Sequence, residues 1–382
     1  MEIGVKKMMN ASFMPALNDA LKKNRIVNKD DFVYTKVANS SKNVGYLDGQ
    51  RVERVIIYLR GKGCEWSCKR NGGCLMCGHY YGTSQGKELP KGAYFEQFKE
   101  EIVKYDFSNI PILCIYNAGS ILNGDEVPTD ELLKMLQLAN DYSNIKRIVL
   151  ESRPEYVTTE ILGKISEICK DKIVEIGIGL ETVNDEIRDR CVNKGFNFID
   201  YIEAVCRIKK YGNLRVLTYL TVKPLFLTIE ESLNDVVKSI QDIYVYTDII
   251  SLEPVSIQKN TVVDYLYELG IYQPPKGWMI KEIICQIKEL GILKEFELRI
   301  GGFEFFPIPD KVIGNCESCN RKLYEAIDMY NATKDDSIIE KIECDCYDEY
   351  LKEKENETRL ERKDFATRIE DVIHSILLKI VA

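Results

Sequence analysis

The chain has 382 residues, 45% of them hydrophobic, which is enough for a large core and for two or three domains, although one barrel could use most of it. No apolar run is long enough for a membrane span, and the N-terminus lacks a sustained apolar stretch before a small-residue cleavage site, so a cytoplasmic protein is expected. A net charge of -8 argues against a surface built on phosphate contacts, and the basic clusters (Lys22, Lys23 and Arg25; Arg207, Lys209 and Lys210; Arg359, Arg362 and Lys363) read as solvated helix faces.

Six short apolar runs have strand character: Val55–Leu59, Pro111–Tyr116, Arg147–Leu150, Ile173–Leu180, Leu214–Val222 and Ile249–Val255. Helical patterns lie between them. The first is expected near Tyr94–Tyr105. In Thr158–Cys169 the apolar positions Ile161, Leu162, Ile165, Ile168 and Cys169 share one face. Another helix starts at Thr228, where Thr228 and Glu231 have capping-box spacing. Its apolar positions are Ile229, Leu233, Val236, Val237 and Ile240.

Strands alternating with helices imply parallel βα units. Six units predict a partial (β/α)6 barrel, and periodicity alone also allows an open doubly wound sheet. In the barrel, functional residues sit on the loops after the strands. After about residue 292 the pattern changes: Phe296–Phe306 reads as short strands around a Gly301-Gly302 turn, and the rest as charged helices. The amphipathic stripe Phe365, Ile369, Val372, Ile373, Ile376 and Ile380 is expected to pack on the body. The expected organisation is an N-terminal extension over 1–50, a barrel over 51–292 and a small α+β extension over 293–382.

The gap after the first strand is the longest and holds Cys64, Cys68, Cys74 and Cys77. Thiolates suit iron–sulfur clusters and zinc. A 4Fe-4S cluster held by three cysteines keeps one iron open, and that iron can chelate the amino and carboxylate groups of S-adenosylmethionine. Two triplets are available, Cys64 or Cys68 with Cys74 and Cys77; a closed four-cysteine zinc site is the competing reading. Gly72, Gly73 and Gly78 let the backbone wrap closely. Cys114, Cys169, Cys191, Cys206 and Cys285 lie in apolar patterns and read as small core side chains.

The segment resembles the radical S-adenosylmethionine (radical SAM) superfamily, in the branch of the Elongator catalytic subunit. That resemblance assigns the cluster to Cys64, Cys74 and Cys77 and makes Cys68 an extra thiol. Ile148-Val-Leu-Glu-Ser-Arg-Pro-Glu-Tyr156, Val174-Glu-Ile-Gly-Ile-Gly-Leu-Glu-Thr182 and Asn193-Lys-Gly195 are similar to later motifs of the branch. A closer resemblance is to the archaeosine-forming radical SAM family, through Gly72-Gly-Cys-Leu-Met-Cys-Gly78, Gly119-Ser120, Glu151-Ser-Arg-Pro154, Gly179-Leu-Glu-Thr182, Lys194-Gly195 and Lys223-Pro224. Gln258, Thr261, Tyr272, Pro274, Pro275 and Trp278 follow in family-like order, whereas Lys311-Val-Ile-Gly-Asn315-Cys316 lacks the histidine expected there.

The resemblance implies an enzyme that cleaves S-adenosylmethionine to a 5′-deoxyadenosyl radical, with an external electron donor. Its substrate would be a lysine-modified 7-deazaguanine in transfer RNA (tRNA), prepared by a partner synthase, and a small metabolite or a peptide is the alternative. The cofactor would lie against Met76, Asn117, Gly119, Ser120, Glu151, Arg153 and Glu181, and the substrate near Lys223, Glu253 and Gln258. His79 reads as locally hydrogen-bonded or as a neighbour of the cluster. Cys316, Cys319, Cys344 and Cys346 form a second set, for zinc or a second iron–sulfur cluster. A zinc-stabilised binding protein without enzymatic activity is the reading from a different class.

Overall fold

The computed structural model describes residues 13–21, 33–68, 72–302, 306–358 and 364–381. Of the basic clusters, Lys22, Lys23, Arg25, Arg359, Arg362 and Lys363 lie outside the described residues, as does the middle of Phe296–Phe306 and the side chain of Ile380. Arg207, Lys209 and Lys210 sit at a helix end with Lys209 and Lys210 exposed.

One sheet of eight strands organises the molecule: β1 Asn39–Leu47, β2 Gln50–Tyr58, β3 Ile112–Tyr116, β4 Arg147–Glu151, β5 Ile173–Glu181, β6 Leu214–Val222, β7 Ile249–Pro254 and β8 Glu297–Ile300. The strands are ordered as in the sequence, and every pair except β1–β2 is parallel. Sequential order removes the doubly wound alternative, whose strand order reverses. The expected partial (β/α)6 barrel is β2–β7, with one further strand on each side. Among the described residues of Phe296–Phe306, β8 is the single strand, and it joins the main sheet.

Alternation divides the side chains. Val55, Ile57, Leu113, Ile115, Ile148, Leu150, Ile176 and Ile178 face the surrounding helices and form the main core. Ile56, Cys114, Tyr116, Val149, Leu217 and Ile249 face the interior. The helices between strands bury the anticipated faces: Ile161, Leu162 and Ile165 in Thr159–Ile168, and Ile229, Leu233, Val236, Val237 and Ile240 in Ile229–Ile243. The Thr228 hydroxyl accepts from the Glu231 amide at 3.1 Å and the Glu231 carboxylate accepts from the Thr228 amide at 2.9 Å. Ile369, Ile373 and Ile376 of Phe365–Val381 are buried with Leu75, Leu225 and Val255, so this helix packs on the body. Cys114, Cys169 and Cys191 are buried as expected, but Cys206 is exposed and Cys285 is half-buried. On Phe198–Ile208 the buried face is Tyr201, Ala204, Val205 and Ile208, and Cys206 points about 100° away from Val205.

The sheet curves strongly. Arg299 on β8 makes two hydrogen bonds, of 2.8 and 2.9 Å, to Glu175 on β5. The Tyr46 carbonyl on β1 accepts from Arg147 on β4 at 3.0 Å. In a flat sheet, strands three apart would be about 14 Å distant. Arg147 also stands 2.9 Å from the fully buried Glu175, so an ion cluster fills the floor. Helix Glu317–Thr333 lies in the seam between the edge strands β1 and β8. Asn331 donates to the Ile300 carbonyl at 2.8 Å and accepts from its amide at 2.9 Å, while the Tyr46 hydroxyl donates to Asp328 at 2.7 Å. Among the described residues no helix is long and apolar enough to cross a membrane.

Candidate functional site

A cavity of about 690 Å3 runs through the barrel interior, lined from every strand. Cys64, Cys74, Met76 and Cys77 form part of its wall. They belong to the long loop after β2, which neighbouring segments hold down. The Asn18 amide donates to the Gly72 carbonyl at 2.8 Å and to the Cys74 carbonyl at 3.1 Å, and Asn193 donates to the Gly73 carbonyl at 2.8 Å. At Gly72 φ is +72° and a Cβ would stand 2.4 Å from the Pro15 carbonyl oxygen, so this turn needs glycine. The Gly78 amide donates to Gln258 at 2.5 Å, which ties the loop end to the residues after β7.

Cys68 behaves differently. It is exposed at the end of the short helix Glu65–Cys68, its sulfur is 3.6 Å from the Lys62 carbonyl, and it does not line the cavity. Burial, then the Glu126 carboxylate, push the Cys64 thiol up to about 12, with Cys74 and Cys77 adding to the effect. A thiolate there requires a positive partner, as a metal cluster supplies. Cys64, Cys74 and Cys77 are also not drawn to single-ion spacing, which among the described residues only the second cysteine set shows. The donor set therefore suits a multi-iron cluster better than one zinc ion.

The loop after β3 is built on a residue the sequence did not single out. Glu126 is almost fully buried. Its Oε2 accepts from the Ser120 amide at 2.6 Å and from Asn117 at 3.2 Å; its Oε1 accepts from the Glu65 amide at 2.8 Å and Asn123 at 3.3 Å. This one carboxylate joins the β3 loop to the cysteine loop. Gly119 lines the cavity, and a Cβ on it would fall 2.0 Å from Glu126 Oε2 and 2.9 Å from the Cys64 Cα. Asn117 and Ser120 are buried behind it and do not line the cavity themselves.

Glu151, Arg153 and Glu181, at or just beyond the ends of β4 and β5, all line the cavity. Glu151 accepts from the Tyr219 hydroxyl at 2.8 Å, and burial raises its pKa. Arg153 is engaged by the protein: it donates to Glu155 and to the Lys194 carbonyl, both at 2.6 Å, and stacks 5.0 Å from the Trp66 ring. Glu181 has a left-handed φ of +68° at a register shift between β5 and β6, which turns its carboxylate inward. It accepts from Lys194 at 2.6 Å and from Thr221. Burial opposes the Lys194 charge, but Glu181 and Cys74 prevail and raise its pKa.

Glu253 and Gln258 line the same cavity. Burial pushes the Glu253 carboxyl up to about 7, despite a 2.7 Å hydrogen bond from Ser251. Lys223 is not brought to the cavity. Its φ of +61° turns the chain at the end of β6, and its ammonium lies 3.6 Å from Glu357 and 5.9 Å from the Tyr272 ring. His79 lines the cavity with Nδ1 2.7 Å from the Phe306 carbonyl, and burial lowers its pKa.

The second cysteine set lies outside the barrel, where helices Glu317–Thr333 and Cys346–Thr358 begin. The four sulfurs lie within 4.8 Å of one another, with separations of 3.5 Å for Cys316–Cys319, 3.6 Å for Cys316–Cys344 and 3.7 Å for Cys319–Cys346. A tetrahedral zinc with bonds of about 2.3 Å sets its sulfurs about 3.8 Å apart. The set fits one tetrahedral ion, and two helix N-termini favour its thiolates.

No family model matches the chain. It is 31% identical to archaeosine synthase subunit beta of Methanosarcina acetivorans over 306 residues, 78% of this chain and 84% of that one. It is 32% identical to the protein of the same name from Thermococcus kodakarensis over 285 residues, 73% of this chain and 86% of that one. Among solved structures it is similar to methylornithine synthase, with a TM-score of 0.47 and 14% identity over 76% of this chain and 72% of that one. The chain belongs to the archaeosine synthase subunit beta family.

Proposed function

We propose that the chain carries a 4Fe-4S cluster on Cys64, Cys74 and Cys77, binds S-adenosylmethionine in the barrel cavity, and acts with a partner synthase subunit as a lyase on a lysine-modified 7-deazaguanine in tRNA. The supporting observation is that three loop thiols share one cavity wall while Cys68 faces elsewhere. When bound, and with one electron from an external donor, these cofactors supply a 5′-deoxyadenosyl radical that removes hydrogen from the substrate.

The chain's own residues prepare that cavity. Glu126 fixes the Asn117–Ser120 loop against the cysteine loop, so the backbone beside Gly119 is available to the cofactor's methionyl end. Glu151 and Glu181 offer carboxylates on one side, and Met76 an adaptable apolar surface. Arg153 shapes the wall through Trp66 and the Lys194 carbonyl. Glu253 holds an exchangeable proton near neutral pH, suited to a polar group of the substrate. The second cysteine set binds zinc.

Anaerobic purification followed by iron, sulfide and zinc analysis tests the metal assignments. Incubation with a reductant and S-adenosylmethionine should then yield 5′-deoxyadenosine, and failure by a reducible cluster removes the radical reading. A chain that cleaves the cofactor but leaves tRNA with the lysine-modified base untouched removes only the substrate assignment.

A further inference from the structure

The helix that starts at the second cysteine set reaches the cavity from the seam between β1 and β8. Cys316 precedes helix Glu317–Thr333 and Cys319 is in its first turn. Over the next turns, from about one and a half to about three beyond Cys319, the same helix lines the cavity through Tyr324, Ile327, Asp328 and Asn331. Asn331 occupies the free edge of β8: its side chain pairs with both the amide and the carbonyl of Ile300, as a neighbouring strand would. Asp328 ties the helix to the other side of the seam through side chains, accepting from the Tyr46 hydroxyl on β1 at 2.7 Å and standing 3.3 Å from Arg51 on β2. Just beyond the helix, Lys334 donates to the Leu298 carbonyl at 2.9 Å. An unpaired pair of sheet edges would leave buried backbone groups unsatisfied and the cavity open on one side.

The other half of the cysteine set comes from a different helix. Cys344 just precedes, and Cys346 begins, the helix Cys346–Thr358, whose Glu357 accepts from the Ile229 amide at 2.7 Å and whose Lys354 bridges Glu230 and Glu282 at 2.8 and 2.7 Å. That helix is thus anchored on the outer helices of the barrel. An ion on all four sulfurs would fasten the seam helix to this outer anchor.

We propose that the metal held by Cys316, Cys319, Cys344 and Cys346 is the clasp of the reaction cavity: it fixes the helix that closes the seam between β1 and β8 and forms the cavity's far wall. The proposal rests on the four cysteines binding one ion and is independent of the radical chemistry.

Hydrogen–deuterium exchange on the intact, anaerobically purified protein, before and after treatment with a zinc chelator, tests it, with metal content measured on each sample. Loss of the ion should speed exchange at least about tenfold in peptides containing Ile300 and Tyr46 and leave β3–β5 unchanged. Asn331→Ala should raise exchange at Ile300 with the ion still bound. Chelated protein that has lost its ion yet exchanges as before at both edges, or that loosens only over 337–358, overturns the clasp. Purified protein with no metal on this set overturns the site itself, a different result from failure of the coupling.

Discussion

Glu181 and Lys194 form an ion pair of 2.6 Å at the cavity wall, in the space left by the missing side chain at residue 179. A Cβ at Gly179 would lie 2.5 Å from Glu181 Oε1 and 2.6 Å from Lys194 Nζ. Gly177 similarly leaves room for the Tyr219 ring, 2.8 Å from where its Cβ would be. The Gly-Ile-Gly-Leu-Glu stretch thus lacks side chains beside the Tyr219 ring and beside the Glu181–Lys194 pair.

Gly179→Ala should therefore break or displace the pair. The atoms nearest that Cβ are the ends of two flexible side chains, so the expected cost lies at the low end of overpacking, about 1 kcal/mol, read as a lower urea midpoint. Cofactor binding should fall with it, measured by titration of the reconstituted protein with S-adenosylmethionine. Unchanged stability and unchanged binding would show that the wall relaxes around the methyl group.

Glu126→Gln tests the joint between the two loops. The carboxylate accepts from four donors, and an amide can accept from only half as many positions. A buried donor left unmatched costs about 1–3 kcal/mol. Thermal denaturation should show the loss. Iron and sulfide content should drop, since the Glu65 amide is next to Cys64, while zinc on the distant second set stays constant.

Glu253 makes stability depend on pH. Burial pushes its carboxyl up to about 7, against an ordinary value of 4.5, so the folded chain holds this proton more tightly than the unfolded one. Stability then falls as pH rises from 4.5 through about 7 and levels off above. Asp235, pushed up to about 6 by burial, acts in the same direction over an overlapping range. Glu253→Gln should leave stability at pH 4.5 nearly unchanged and raise it at pH 8 by up to about 3 kcal/mol. Urea unfolding at the two pH values measures this, and equal effects at both would place the Glu253 titration elsewhere.

The sequence exposes what is periodic or glycine-marked and hides what depends on distant partners. β2–β7 are legible because at least one face of each is apolar. β1 escapes because Asn39–Leu47 carries few apolar residues, although its turn was readable: Asp48 and Gly49 have φ of 50° and 76°, the conformation that an Asp-Gly hairpin turn favours. Glu126 lies in an unmarked loop, and nothing in its spacing tells that four donors converge on it. Lys194 sits in a recognisable motif, but its role needs Glu181 turned inward by a left-handed residue. Lys223 illustrates the converse: its place at a strand end suggests the cavity, and its own left-handed φ sends it to Glu357 instead.

The cysteine loop offers the sharpest test. Cys64, Cys74 and Cys77 line the cavity, and Cys68 is exposed beside the Lys62 carbonyl. A cluster on three thiols predicts that Cys68→Ala keeps full iron and sulfide content, with an unchanged absorption spectrum and undiminished 5′-deoxyadenosine formation. Alanine at any of the other three should abolish the cluster while leaving zinc on the second set, because the two sets share no residue. The alternative of one closed four-cysteine ion predicts equal damage from all four substitutions. Exposure and orientation set Cys68 apart from its neighbours, so the four single variants should divide three against one.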